Sequence, residues 1–227
     1  YGGFAGNEVT RESRDFDANP VILSGDFGIP SNNTDNAFHV VVPSEGSVLD
    51  GFTITGGNAS ENFNNDDRGK GAGLWADSAA FTVSNCKFVS NNSYQGGSAI
   101  YIKEGNSTFL NCEFLNNHTQ YEGGAIRSEN SEINLISCSL VSNRSLVSYG
   151  GGAIYISGGN YSILSSSFDL NQATFQGGAA LILNSTGIIE DSNFTGNQNT
   201  GSNGGGALYL DNTSPRITRC QFIDNVT

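Results

Sequence analysis

The chain has 227 residues, of which only 14% are charged, and its formal net charge is −12. That balance argues against nucleic acid or an anionic membrane as partner, and the length suits one elongated domain. Gly, Asn, Ser and Thr dominate, Met is absent, and no long apolar run occurs, so no signal peptide or membrane insertion is expected. Lacking an initiator Met, the sequence is expected to be a mature or excised piece.

Residues 1–36 are the least regular and are expected to form an irregular N-terminal rung or cap. Ile22, Leu23, Ser24 and Gly25 align with Val48, Leu49, Asp50 and Gly51 at a step of 26, but Asp26 falls where Phe52 stands. The polar run Arg11 to Asp17 is expected to be a loop. Residues 37–227 are expected to be one solenoid. Its first turn spans 37–72, with Phe38 and Val40 at apolar inward positions and Phe52 15 residues after Ala37. Ser47 breaks the apolar pattern of the second strand. A long loop insertion at 59–71 carries Glu61, Asp66, Asp67, Arg68 and Lys70. It is expected to be a solvated protrusion; the alternative is a contact site or weak Ca²⁺ site, since calcium takes several carboxylate and carbonyl oxygens.

From Gly73 onward a unit recurs at steps of 26, 26, 28, 26 and 28 residues, with the extra residues confined to one place. A small residue stands at Gly73, Ala99, Ala125, Ala153, Ala179 and Ala207. Fifteen residues later comes Phe88, Phe114, Leu140, Phe168, Phe194 or Phe222, and three further on Asn91, Asn117, Asn143, Asn171, Asn197 or Asn225. Apolar residues alternate with period two after the small residue, as in Ile100 and Ile102 or Ile154 and Ile156. Alternation of this kind makes strands, and self-similarity at this period makes a solenoid. The fold class is therefore all-β: a right-handed parallel β-helix of about eight rungs of 26–28 residues. Gly pairs such as Gly151-Gly152 suit a tight corner. The recurring Asn suits another corner, where it tolerates a left-handed backbone or hydrogen-bonds along the stack. Cys86, Cys112, Cys138 and Cys220 share a column with Ser166 and Ser192. The expectation is an inward stack of thiols, with one bridge among the first three as the alternative and no zinc site.

The motifs GGA-I/L and FxxN, recurring together over about Gly73 to Asn225, resemble the repeats of polymorphic outer membrane proteins within the pectin-lyase-like β-helix superfamily. YGGFAGNE, ILSGD and LDGFTITGGNA resemble the opening of secreted bacterial parallel β-helix proteins. The resemblance implies a fold shared by lyases, hydrolases, adhesins and fibres. It also implies that a lyase here would need a basic residue near a calcium-binding acidic cluster, and a hydrolase paired carboxylates.

No such constellation recurs on one face. Arg127, with Glu129 and Glu132 near it, reads as a solvated charge on a sheet. His39 and His118 lie on different strands or corners, so no catalytic residue is assigned. The column between the apolar positions is expected to face outward, making Trp75, Tyr101, Tyr155 and Tyr209 candidates for contact with carbohydrate or a partner. Eleven Asn-x-Ser/Thr sequons occur, but those at the FxxN corner compete with a buried role. Asn32, Asn58, Asn106, Asn160, Asn184 and Asn212 are the glycosylation candidates. The expected function is a non-catalytic extracellular structural or adhesive β-solenoid at the cell surface. It would need no cofactor and be partnered by itself or by further rungs end to end, and by glycans. A polysaccharide lyase or hydrolase, or a carbohydrate-binding module, is the alternative.

Overall fold

The computed structural model describes residues 1–30, 32–61, 66–147, 149–201 and 204–227. Every strand pairing within them is parallel, and the only helices are three single 3₁₀ turns. Three sheets run along the solenoid. One has eight strands, from Val21–Ser24 to Gln221–Ile223, and carries the Phe column. A broad sheet has eleven strands, and in two rungs its segments merge into continuous strands, Ile126–Ile136 and Ile154–Leu164. A third has six two-residue strands, such as His118–Thr119. Eight strands stack in the Phe sheet, but six turns carry all three sheets, fewer than the eight rungs expected, because the first and last strands of the Phe sheet belong to turns with no described strand in the third sheet.

Register is set by alternation. Phe88 pairs with Phe114, Phe114 with Leu140, and so on to Phe222, so like side chains stack. The rings of Phe88 and Phe114 lie 5.2 Å apart at 9°, and those of Phe168 and Phe194 4.6 Å apart at 11°. The Asn column forms a second, polar ladder. Asn117 N–H and Asn117 Nδ2 both donate to Asn143 Oδ1 at 3.0 Å, and Asn117 Nδ2 also donates to the Phe88 carbonyl at 2.9 Å. The same bonds repeat from Asn91 to Asn225. Burial of these amides is tolerated because every donor and acceptor is matched one rung away.

The left-handed corner belongs to the residue before the ladder Asn: Ser90, Asn116, Ser142, Leu170, Gly196 and Asp224. Leu170, at φ 57° and exposed, is the ill-suited member. Leu170→Asn is expected to stabilise the fold by about 1 kcal/mol, measurable by urea unfolding. In the Gly151-Gly152 pair neither position has room for a Cβ. One on Gly151, which has φ 70°, would lie 2.1 Å from the Ile154 carbonyl oxygen, and one on Gly152 would lie 2.1 Å from the Gly178 carbonyl oxygen of the next rung.

The early registers differ from expectation. Ile54, not Phe52, pairs with Phe88; Leu49, not Ser47, pairs with Val83; Val41, not Phe38, bridges to Leu74. Leu23 pairs with Ile54, a step of 31 instead of 26. Phe52 and Ile54, like Ser47 and Leu49, lie two apart on one strand and share a face, so apolar alternation there fits either register. The N-terminal segment is folded across the first turns. Gly2 N–H donates to the Asp50 carbonyl at 2.7 Å, Arg14 makes a buried ion pair with Asp50, and its guanidinium lies 4.7 Å from the Phe16 ring centre.

Candidate functional site

The column between the apolar positions of the broad sheet points away from the core, but it is not an open aromatic face. Trp75, Tyr155 and Tyr209 are half-buried, whereas Tyr101 is only 1% exposed and Leu181 is fully buried. The expectation of an exposed column therefore fails at Tyr101. The end of the 59–71 insertion lies over it, with Lys70 Nζ 4.8 Å from its ring centre. That insertion is tied down by backbone bonds, Tyr94 N–H to the Ala59 carbonyl at 2.8 Å and Gln95 N–H to the Gly69 carbonyl at 2.7 Å. The His39 ring lies 5.8 Å from Trp75, and its Nδ1 is 3.2 Å from the Gly71 carbonyl oxygen.

Beneath this cover lies a cluster of polar side chains on the broad sheet. Tyr101 donates its hydroxyl proton to Glu129 Oε2 at 2.7 Å. Arg127 donates through Nε to Glu129 Oε1 at 2.8 Å, through Nη1 to Glu122 Oε2 at 2.7 Å, and to the Gln95 carbonyl. Its guanidinium also lies 5.5 Å from the Tyr155 ring centre. Two carboxylates thus clamp one cation between two aromatic side chains. Arg127 was expected to be a solvated charge and is instead largely buried; Glu132, expected near it, accepts from Asn106 Nδ2 at 3.3 Å. Glu122 was not anticipated, because it lies outside the strand pattern, on the turn before Gly123.

The two carboxylates are driven apart. Burial pushes the Glu122 carboxyl up against the opposing pull of Arg127. Burial also acts on Glu129, but Arg127 and the Tyr101 hydroxyl outweigh it and hold that carboxyl below its usual range. Burial, followed by the neighbouring Glu129, raises the Tyr101 phenol. Tyr101→Phe is expected to cost about 1.5–3 kcal/mol, the worth of a hydrogen bond to a charged group. Guanidinium unfolding of the two proteins measures the difference.

No group of three or more His, Cys, Asp or Glu is placed to hold a metal among the described residues. In the 59–71 insertion Asp66 pairs with Arg68 at 2.8 Å and Asp67 with Lys70 at 3.2 Å; residues 62–65 lie outside the described residues. All four cysteines are free thiols, three of them buried. Of the sequon residues, Asn106, Asn160, Asn184, Asn193 and Asn212 are exposed. Asn32 and Asn58 are half-buried, and Asn58 donates to the Asn33 carbonyl at 2.6 Å. Asn91, Asn117 and Asn143 lie in the buried ladder. No helix of the described residues is long and apolar enough to cross a membrane.

Stacked parallel rungs, an internal Phe column and an internal Asn ladder define a parallel β-solenoid. A family model for the right-handed β-helix region matches residues 74–227, and the chain belongs to that family. Comparisons with curated proteins and with solved structures gave no match.

Proposed function

We propose that this protein is a non-catalytic extracellular structural or adhesive β-solenoid, displayed at a cell surface and carrying glycans on its exposed sequons. The observation that carries the reading is the state of Arg127. Its donors are engaged by Glu122, Glu129 and the Gln95 carbonyl. This basic group is thus consumed in the fold: it is paired with Glu122 and Glu129 of its own rung and tied to the preceding rung through the Gln95 carbonyl and, by way of Glu129, the Tyr101 hydroxyl. A lyase would need that base free to take a proton from a sugar ring.

Length is the property such a fold supplies. Each added rung extends the molecule by about 4.8 Å without changing its cross-section. The Phe222 ring stacks on Phe194 at 4.8 Å, so the same ring-on-ring contact that joins the inner rungs joins this one. Antibody labelling of intact and permeabilised source cells tests the placement. Labelling of intact cells is the expected result, and labelling only after permeabilisation would overturn it.

A further inference from the structure

Tyr94 stands three residues after the ladder Asn91, and Tyr121 four residues after Asn117, so the two are diagonal neighbours on adjacent rungs. Both lie half-buried at the corner between the third sheet and the broad sheet. Rings in register stack plane on plane in this solenoid, as Phe168 and Phe194 do at 11°. The offset pair meets instead at 59°, with ring centres 5.3 Å apart. We propose that Tyr94 and Tyr121 are an oxidative modification site, joined as a dityrosine when the protein meets a haem peroxidase and hydrogen peroxide.

The choice of pair follows from how the two residues are held. The Thr119 hydroxyl ties them together, donating to the Tyr94 carbonyl at 3.4 Å and accepting from Tyr121 N–H at 3.2 Å. Tyr94 N–H donates to the Ala59 carbonyl at 2.8 Å, and the Tyr121 carbonyl accepts from Ser145 Oγ. The backbone is thus fixed on both rungs while the rings stay accessible. Interaction with the Tyr94 hydroxyl raises the Tyr121 phenol, so the hydroxyl ends of the rings are neighbours as well as their centres. The ring carbons that couple are those beside the hydroxyl-bearing carbon, hence on the ends that meet. A carbon–carbon bond brings the rings closer than this contact, and rotation about χ1 and the broad χ2 of tyrosine supplies the approach. Tyr101 is committed elsewhere, since it is only 1% exposed and its hydroxyl donates to Glu129. Tyr149, one rung beyond Tyr121, is turned into solvent at 60% exposure.

The peroxidase takes one electron from each phenol, and each hydroxyl gives up its proton, leaving two phenoxyl radicals. The radicals pair at the ring carbons beside the oxygens, forming one carbon–carbon bond. The hydrogen on each bonded carbon then moves to its phenoxyl oxygen through solvent, which restores both aromatic rings and both hydroxyls. The two electrons and two protons reduce one hydrogen peroxide to two waters. Two tyrosines are oxidised to one dityrosine, and the chain loses two hydrogens. The link closes a rung-to-rung staple beside the 59–71 insertion, which Tyr94 and Gln95 already hold by backbone bonds.

The test is intact mass and tryptic mapping of the dilute full chain after treatment with a haem peroxidase and hydrogen peroxide, once folded and once in urea. Trypsin cuts after Lys87, Lys103 and Arg127, which puts Tyr94 and Tyr121 on different peptides. The expected product of the folded chain is a monomer lighter by two hydrogens, with peptides 88–103 and 104–127 joined, and its yield falls severalfold in urea. Tyr101 shares the first peptide, so Tyr94→Phe decides between them. The link is expected to vanish in Tyr94→Phe and in Tyr121→Phe, both of which keep the ring contact and an unchanged circular dichroism spectrum, and to persist in Tyr149→Phe. A link that survives Tyr94→Phe or Tyr121→Phe, one that joins Tyr149, equal yields with and without urea, covalent dimers alone, or an unchanged mass would overturn the assignment.

Discussion

Phe114→Ala is expected to destabilise the protein by about 3–5 kcal/mol, the cost of truncating a buried aromatic. Phe114 has no exposed surface, stacks on Phe88 at 5.2 Å and meets Phe109 edge-on at 6.1 Å. Its strand is hydrogen-bonded to a rung on each side, so the backbone cannot collapse far into the space left behind. Chemical unfolding monitored by circular dichroism reads the loss directly. A cost below about 1 kcal/mol would mean that the Phe column is not the core.

Asn143→Ala is expected to cost about 2–5 kcal/mol by a different route. The substitution removes the acceptor of two donors, Asn117 N–H and Asn117 Nδ2, and the donor to the Phe114 carbonyl. All of these groups are buried, and an orphaned buried polar group costs about 1–3 kcal/mol. Asn106→Ala, at an exposed sequon, is expected to change stability by no more than about 0.5 kcal/mol. The contrast between the two Asn residues, measured in the same denaturant series, separates ladder from surface.

The regular part of the fold was legible because the repeat carries its own register. A fixed interval from Ala99 to Phe114 to Asn117, repeated, leaves one way to stack the turns. The first turns were not, because Phe52 and Ile54 lie on the same side of one strand and alternation cannot choose between them. The aromatic column was legible as a direction but not as an exposure. The sequence places Tyr101 on the outer face of the sheet, and only the path of the insertion brings Lys70 over it. The Arg127 clamp was half visible: Glu129 lies two residues away on the same face, whereas Glu122 comes from the preceding corner and carries no periodic signal. The αL corner was assigned to the ladder Asn when it belongs to the residue before it, since Asn suits both roles and the preceding column, Ser90, Asn116, Ser142 and Leu170, is too mixed to stand out.

The claim that Arg127 and its two carboxylates hold rungs together, and perform no chemistry, is tested most directly by incubating the purified chain with pectin, alginate and related polymers. The release of unsaturated and reducing ends is then followed in parallel for the unsubstituted protein, Arg127→Gln and Glu122→Gln. No release above the enzyme-free control is expected from any of the three. Ends released by the unsubstituted protein and lost in both variants, with the fold of the variants retained by circular dichroism, would contradict it.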